Sequence, residues 1–107
     1  MPKFSESSKE KQDSCDSRLD KLLDEIIKIY DITILFGYRD EKEQNEAFEK
    51  GNSTKRWPDS KHNKFPSKAF DIAPYPIDWK DMERFYFLGG LVLGLAEKLN
   101  IPIRWAG

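Results

Sequence analysis

The stretch Ser60-Lys61-His62-Asn63-Lys64-Phe65-Pro66-Ser67-Lys68-Ala69-Phe70-Asp71-Ile72-Ala73 changes character partway along. Up to Ser67 it continues an aperiodic segment, rich in Asn, Ser, Pro and Lys, that begins at Gly51. A loop of that length inside a compact domain is usually functional or disordered. From Ala69 to Ala73 the chain reads as a short strand, which Pro74 and Pro76 prevent from running on as a central one. The stretch holds the only histidine, and its final apolar pair follows an aspartate. Imidazole and carboxylate both ligate a borderline metal such as zinc, so His62 and Asp71 brought together would form two corners of a tetrahedral site. The plainer reading of a lone loop histidine is a solvated side chain. For Asp71 it is an ion pair with a lysine or an exposed strand face, since burying it unpaired is expensive.

Outward from there, the neighbouring elements alternate in type. Ile32-Thr33-Ile34-Leu35-Phe36 is a β-branched and aromatic run ending at Gly37, which predicts a buried strand. Asp40 and Glu43 stand at capping-box spacing and predict a helix to Lys50 that stops at Gly51, with Gln44, Ala47 and Phe48 inward. Upstream, Leu19, Leu22, Leu23, Ile26, Ile27 and Tyr30 recur at three-and-four spacing, an amphipathic helix from about Ser17 to Tyr30 capped by Asp16 or Ser17. Downstream, Asp78 is positioned to cap a helix from Trp79 to Leu99, with Met82, Phe85, Leu88, Val92, Leu95, Ala96 and Leu99 buried. Gly89, Gly90 and Gly94 each cost that helix roughly 1 kcal/mol relative to Ala, which implies a closely packed backbone. Ile101 to Trp105 reads as a third strand. Residues 1–13 are polar and read as a flexible N-terminal arm with one anchor, Phe4. Short strands interspersed with helices predict an α+β domain, helices packed on one face of a small sheet.

The totals narrow the function. The 107 residues are enough for one domain with one modest core. With 18 basic and 19 acidic residues the formal net charge is −1, so no general attraction to nucleic acid or anionic lipid is expected. The single cysteine, Cys15, excludes an internal disulfide and a cysteine-based zinc knuckle, and reads as a small buried apolar residue. The N-terminus carries no signal-peptide core, and the longest apolar run, Phe85 to Ala96, is too short to span a bilayer.

Among the remaining chemistry-bearing residues, Arg39 lies between a strand end and a helix cap, where rigid scaffolds often present active-site groups. Its plainer reading is a surface bridge to a nearby glutamate. Gln44, one turn into the helix, can face the same cleft. There is no phosphate-binding glycine loop and no G-x-S-x-G elbow. The lone histidine and lone cysteine are far apart in sequence, and no carboxylate pair stands out for glycoside cleavage.

Taken together, Ser60-Lys61-His62-Asn63 and Pro66-Ser67-Lys68-Ala69-Phe70-Asp71-Ile72-Ala73-Pro74-Tyr75-Pro76 resemble the S-x-H…A-x-D signature of the zinc D-alanyl-D-alanine carboxypeptidase and L-alanyl-D-glutamate endopeptidase family, in its phage endolysin-like branch. Gly37-Tyr38-Arg39, Glu43-Gln44 and Gly51-Asn52-Ser53 resemble its G-[YH]-R…Q…G-x-S segment. Ile77-Asp78-Trp79, Arg84-Phe85, Gly94-Leu95-Ala96 and Ile103-Arg104-Trp105-Ala106-Gly107 resemble further segments of that branch. The resemblance covers about residues 14–107 and implies a hedgehog/DD-peptidase-like fold. It implies that His62 and Asp71 are zinc ligands, that Arg39 steadies the carbonyl oxygen as it gains charge, and that Ser60 and Gln44 orient the ligand loop or touch substrate. A peptidoglycan stem peptide would be the partner of a monomeric enzyme made in a bacterial host cytoplasm and acting on the wall after release. In that family a third ligand, a histidine, and an acidic general base lie beyond the segment in which this sequence ends. The expectation is therefore a peptidase-like domain over 14–107 lacking its C-terminal part. The alternative is a non-catalytic remnant that binds peptidoglycan or a protein.

Overall fold

In a computed structural model describing residues 3–103, the chain forms four helices and a two-stranded antiparallel sheet, an α+β domain. The elements are α1 (Glu6–Asp13), α2 (Ser17–Ile29), β1 (Ile32–Phe36), α3 (Glu41–Glu49), a 3-10 turn (Lys61–Asn63), β2 (Asp71–Pro74) and α4 (Met82–Lys98). The core is the apolar face of α2 (Leu19, Leu22, Leu23, Ile26, Ile27) set against Leu88, Val92 and Ala96 of α4 and Ile32, Ile34 and Ile72 of the sheet. The period that predicts α2 is thus the period of its burial. Asp16, rather than Ser17, caps it by accepting from the amides of Arg18 and Leu19. The capping box of α3 forms as its spacing predicts, and Gly51 follows the helix at φ 77°, the left-handed value that glycine adopts without a Cβ penalty.

Several expectations need correction. The segment expected as an arm contains α1, capped by Ser5, with Ser8 and Gln12 buried. Phe4 packs against the core as the expected anchor, and polar anchors join it: Ser8 Oγ accepts from the Ile34 amide of β1 at 3.0 Å, and Gln12 Nε2 donates to Asp24 at 2.7 Å. No apolar period marks such a helix.

Helix α4 begins at Met82 under an Asp81 cap, not at Trp79 under Asp78. Asp78 instead accepts from the Lys80 amide and turns the chain before the helix. Met82 is exposed, while Phe85, Leu95 and Leu99 are only half-buried. Among the described residues, a Cβ on Gly90 or Gly94 would meet nothing within 4 Å, so none of their backbone packs against those two glycines. Strand β2 runs Asp71–Pro74 instead of Ala69–Ala73, with Pro74 as its last paired residue. Ile101–Ile103 are not in a strand, and Arg104 and Trp105 of the expected third strand lie outside the described residues.

The sheet register pairs Ile32 with Pro74, Thr33 with Ala73, Ile34 with Ile72 and Phe36 with Asp71. One extra residue on β1, Leu35, therefore sits between the last two pairs. Such bulges bend a strand and re-aim the side chains beyond the bend. Here the bend falls where β1 runs into Gly37-Tyr38-Arg39 and β2 opens with Asp71.

Candidate metal and peptide site

Gly37 ends β1 in a place that admits no side chain. A Cβ there would collide with the Lys11 carbonyl and the Ser14 hydroxyl, and would press on Cys15 Sγ. This close approach fixes the Gly37 carbonyl, which lies 2.7 Å from His62 Nδ1. A carbonyl can only accept, so Nδ1 is the donor in that contact and Nε2 is the ring nitrogen left for another partner. That nitrogen faces Asp71, 3.5 Å from Oδ1.

The other carboxylate oxygen, Oδ2, takes an ion pair from Arg39 Nη2 at 2.5 Å. Arg39 is buried to 6% exposure, its guanidinium stacked 4.5 Å from the Phe36 ring centroid and its Nη1 donating to Gln44 Oε1 at 3.4 Å. Its Nε has no hydrogen-bond partner among the described residues, a local cost of about 1–3 kcal/mol. Burial pushes the Asp71 carboxyl upward. The hydrogen bond and charge of the His62 imidazole and the charge of Arg39 outweigh it and hold the group below the ordinary aspartate value. Asp71 is therefore ionised at neutral pH.

The loop that carries His62 is pinned from several sides. Ser60 Oγ accepts from the His62 amide, and Asn63 Oδ1 accepts from the Ser60 amide, so the 3-10 turn closes its own capping box. The Arg39 amide donates to the His62 carbonyl at 2.8 Å. Asn63 Nδ2 donates to the Arg39 carbonyl at 3.2 Å and to Gln44 Oε1 at 3.1 Å. Further on, Ser67 joins the α1–α2 junction through two backbone hydrogen bonds, to Ser14 and from Asp16. Cys15 lies in that junction as the small buried residue expected, its thiol pushed up to about 11 by burial and then by Asp20 and Asp16.

The five residues singled out in the sequence thus meet in one place. His62, Asp71 and Arg39 line a broad cleft of about 1850 Å³. Ser60 is buried and orients the loop, and Gln44 is fully buried, its amide spent on Ser53 and the Lys55 carbonyl. Three contributors carry no strong signal in the sequence: the Gly37 carbonyl, the Asn63 amide and the Phe36 ring. Asn63 has a weak one, its S-x-x-N spacing from Ser60.

The donors suit a zinc ion as far as they go. Two ligands at about 2.0–2.1 Å from one tetrahedral ion stand roughly 3.3 Å apart, close to the separation of Nε2 and Oδ1. An imidazole whose other nitrogen donates to a carbonyl is the usual arrangement of a metal-bound histidine. Among the described residues, no group of three or more His, Cys, Asp or Glu side chains converges. The sequence model of the phage L-alanyl-D-glutamate peptidase family matches residues 1–107. No curated protein matches the chain.

Proposed function

Because the chain belongs to the phage L-alanyl-D-glutamate peptidase family, we propose that it acts on peptidoglycan stem peptides at the L-alanyl–D-glutamate bond, with zinc held in part by His62 and Asp71. A peptidase of this family acts on peptidoglycan, and the family match favours that bond over the D-Ala-D-Ala bond. The observation that carries the metal reading is the paired presentation of His62 Nε2 and Asp71 Oδ1, 3.5 Å apart, with the outer atoms of both groups already engaged.

Each residue then has a task. The Gly37 carbonyl holds the imidazole in the tautomer that leaves Nε2 free. Arg39 grips Oδ2, so Asp71 offers a single ionised oxygen beside that nitrogen. The same guanidinium keeps positive charge near the scissile carbonyl, where negative charge grows as the amide is attacked. Ser60 and Asn63 hold the turn, so that His62 loses little freedom on engaging a ligand. The chemistry a bound zinc ion supplies is Lewis acidity, which polarises a carbonyl and lowers the pKa of water. Catalytic zinc sites usually have three protein ligands, and the described residues bring two. That observation favours a second reading, a peptide-binding module with no turnover. No helix among the described residues is long and apolar enough to cross a membrane. Synthesis in the host cytoplasm and action on the wall after release complete the proposal.

Calorimetric zinc titration tests the metal site. Wild type is expected to bind at least about tenfold more tightly than His62→Ala or Asp71→Asn. Equal weak binding by all three chains would remove His62 and Asp71 as ligands. Appearance of new glutamate amino-termini in purified peptidoglycan then separates enzyme from binding module.

A further inference from the structure

The sequence is close to neutral, but the cleft is not. Among the described residues, Arg18, Arg39, Lys61, Lys64 and Lys68 line it, against two carboxylates, Asp16 and Asp71. Both carboxylates are committed: Asp16 to Lys68 at 3.0 Å and Arg18 at 3.7 Å, Asp71 to Arg39. Two exposed lysines, Lys61 as the first residue of the 3-10 turn and Lys64 just after it, make no ion pair among the described residues. Their backbone is held firmly, since Lys61 precedes His62 and its carbonyl accepts from the Lys68 and Lys64 amides. The ammonium groups are mobile point charges on an anchored turn beside the metal-site histidine.

We propose that Lys61 and Lys64 form a carboxylate-reading subsite, which favours stem peptides whose glutamate keeps a free carboxylate over those in which it is amidated. This rests on the peptidase reading above. A glutamate acylated on nitrogen by alanine and joined onward through one carboxyl retains the other, ionised at neutral pH. That charge sits within one residue of the bond to be cut, and two unpaired cations sit within two residues of His62. Complementary charge of this kind selects among partners more than it raises raw affinity. Amidation removes the charge without changing the size of the group, so it is the discriminating modification.

The test is an NMR-detected titration of the intact chain with two synthetic peptides, acetyl-L-Ala-γ-D-Glu-L-Lys and the same peptide with the free glutamate carboxylate amidated. Wild type is expected to bind the carboxylate form roughly five-fold more tightly at low salt, a margin that shrinks as salt screens it. Lys61→Gln/Lys64→Gln should lose the margin while still binding the amidated peptide as wild type does. A control, Lys21→Gln/Lys98→Gln, removes the same charge outside the cleft and should keep the margin. Equal binding of the two peptides by wild type, or a margin that survives in Lys61→Gln/Lys64→Gln, overturns the subsite and leaves the peptidase reading standing. Binding of neither peptide overturns both.

Discussion

At the scale of single residues, Gly37 matters through what it lacks. Its missing Cβ lets β1 press against the α1–α2 junction, and its carbonyl holds the imidazole of His62. Gly37→Ala should cost about 1–3 kcal/mol through overpacking against backbone that cannot yield, measured by urea unfolding. It should also weaken zinc binding, because a displaced carbonyl releases Nδ1. Full stability together with full zinc affinity in Gly37→Ala would contradict the close approach. Asp71 is conspicuous in the sequence because a carboxylate next to an apolar run needs a partner. That its partners are Arg39 and His62, rather than any of the lysines, depends on a bulge no spacing rule reveals.

At the scale of elements, Asp16 joins two tasks. It caps α2 through the Arg18 and Leu19 amides, and it holds the site loop through Lys68. Burial, the largest single influence, raises its carboxyl pKa. The hydrogen bonds from Lys68, Leu19 and Arg18 outweigh that and leave the pKa below the ordinary value. A depressed folded pKa means the stabilisation is complete above the unfolded value of about 3.9 and is lost as pH falls through the folded value. Asp16→Ala should therefore lose about 1 kcal/mol at neutral pH, with the gap to wild type closing in acid. Thermal unfolding across that range measures it; a gap independent of pH would show that the charge contributes nothing. The cap is legible in the sequence only as one of two candidates, since Asp16 and Ser17 satisfy the same preference.

At the scale of the whole molecule, a two-stranded sheet is marginal in isolation, so its flanks decide whether it persists. Helix α4 packs on β2, and α1 packs on β1, where the Ser8 hydroxyl takes the Ile34 amide that a third strand would otherwise have bonded. Ser8→Ala, which removes the acceptor without adding bulk, should leave that buried amide unpaired and cost about 1–3 kcal/mol. Hydrogen exchange at Ile34 is the measurement, with faster exchange expected in the variant. Unchanged protection there would mean that the edge is closed by something other than α1.

Residues that carry a period or a punctuation mark declare their elements without any knowledge of the fold. Helix α2 is legible in its three-and-four spacing, β1 in its β-branched run, the start of α3 in Asp40 and Glu43, and its end in Gly51. His62, Asp71 and Arg39 stand out in the same way, because a lone imidazole, a strand carboxylate and an arginine at a strand end are chemically conspicuous. Three features exist only at the tertiary level. The polar helix α1 docks through side-chain hydrogen bonds, which have no hydrophobic signature. The start of α4 is set by its surroundings, because an aspartate can turn the chain as readily as cap a helix. The site itself is held together by Gly37 and Asn63, which act through a carbonyl and an amide whose partners lie far away along the chain. Periodicity is a local property and can be read along the chain, whereas hydrogen bonds between distant segments exist only once the chain has folded.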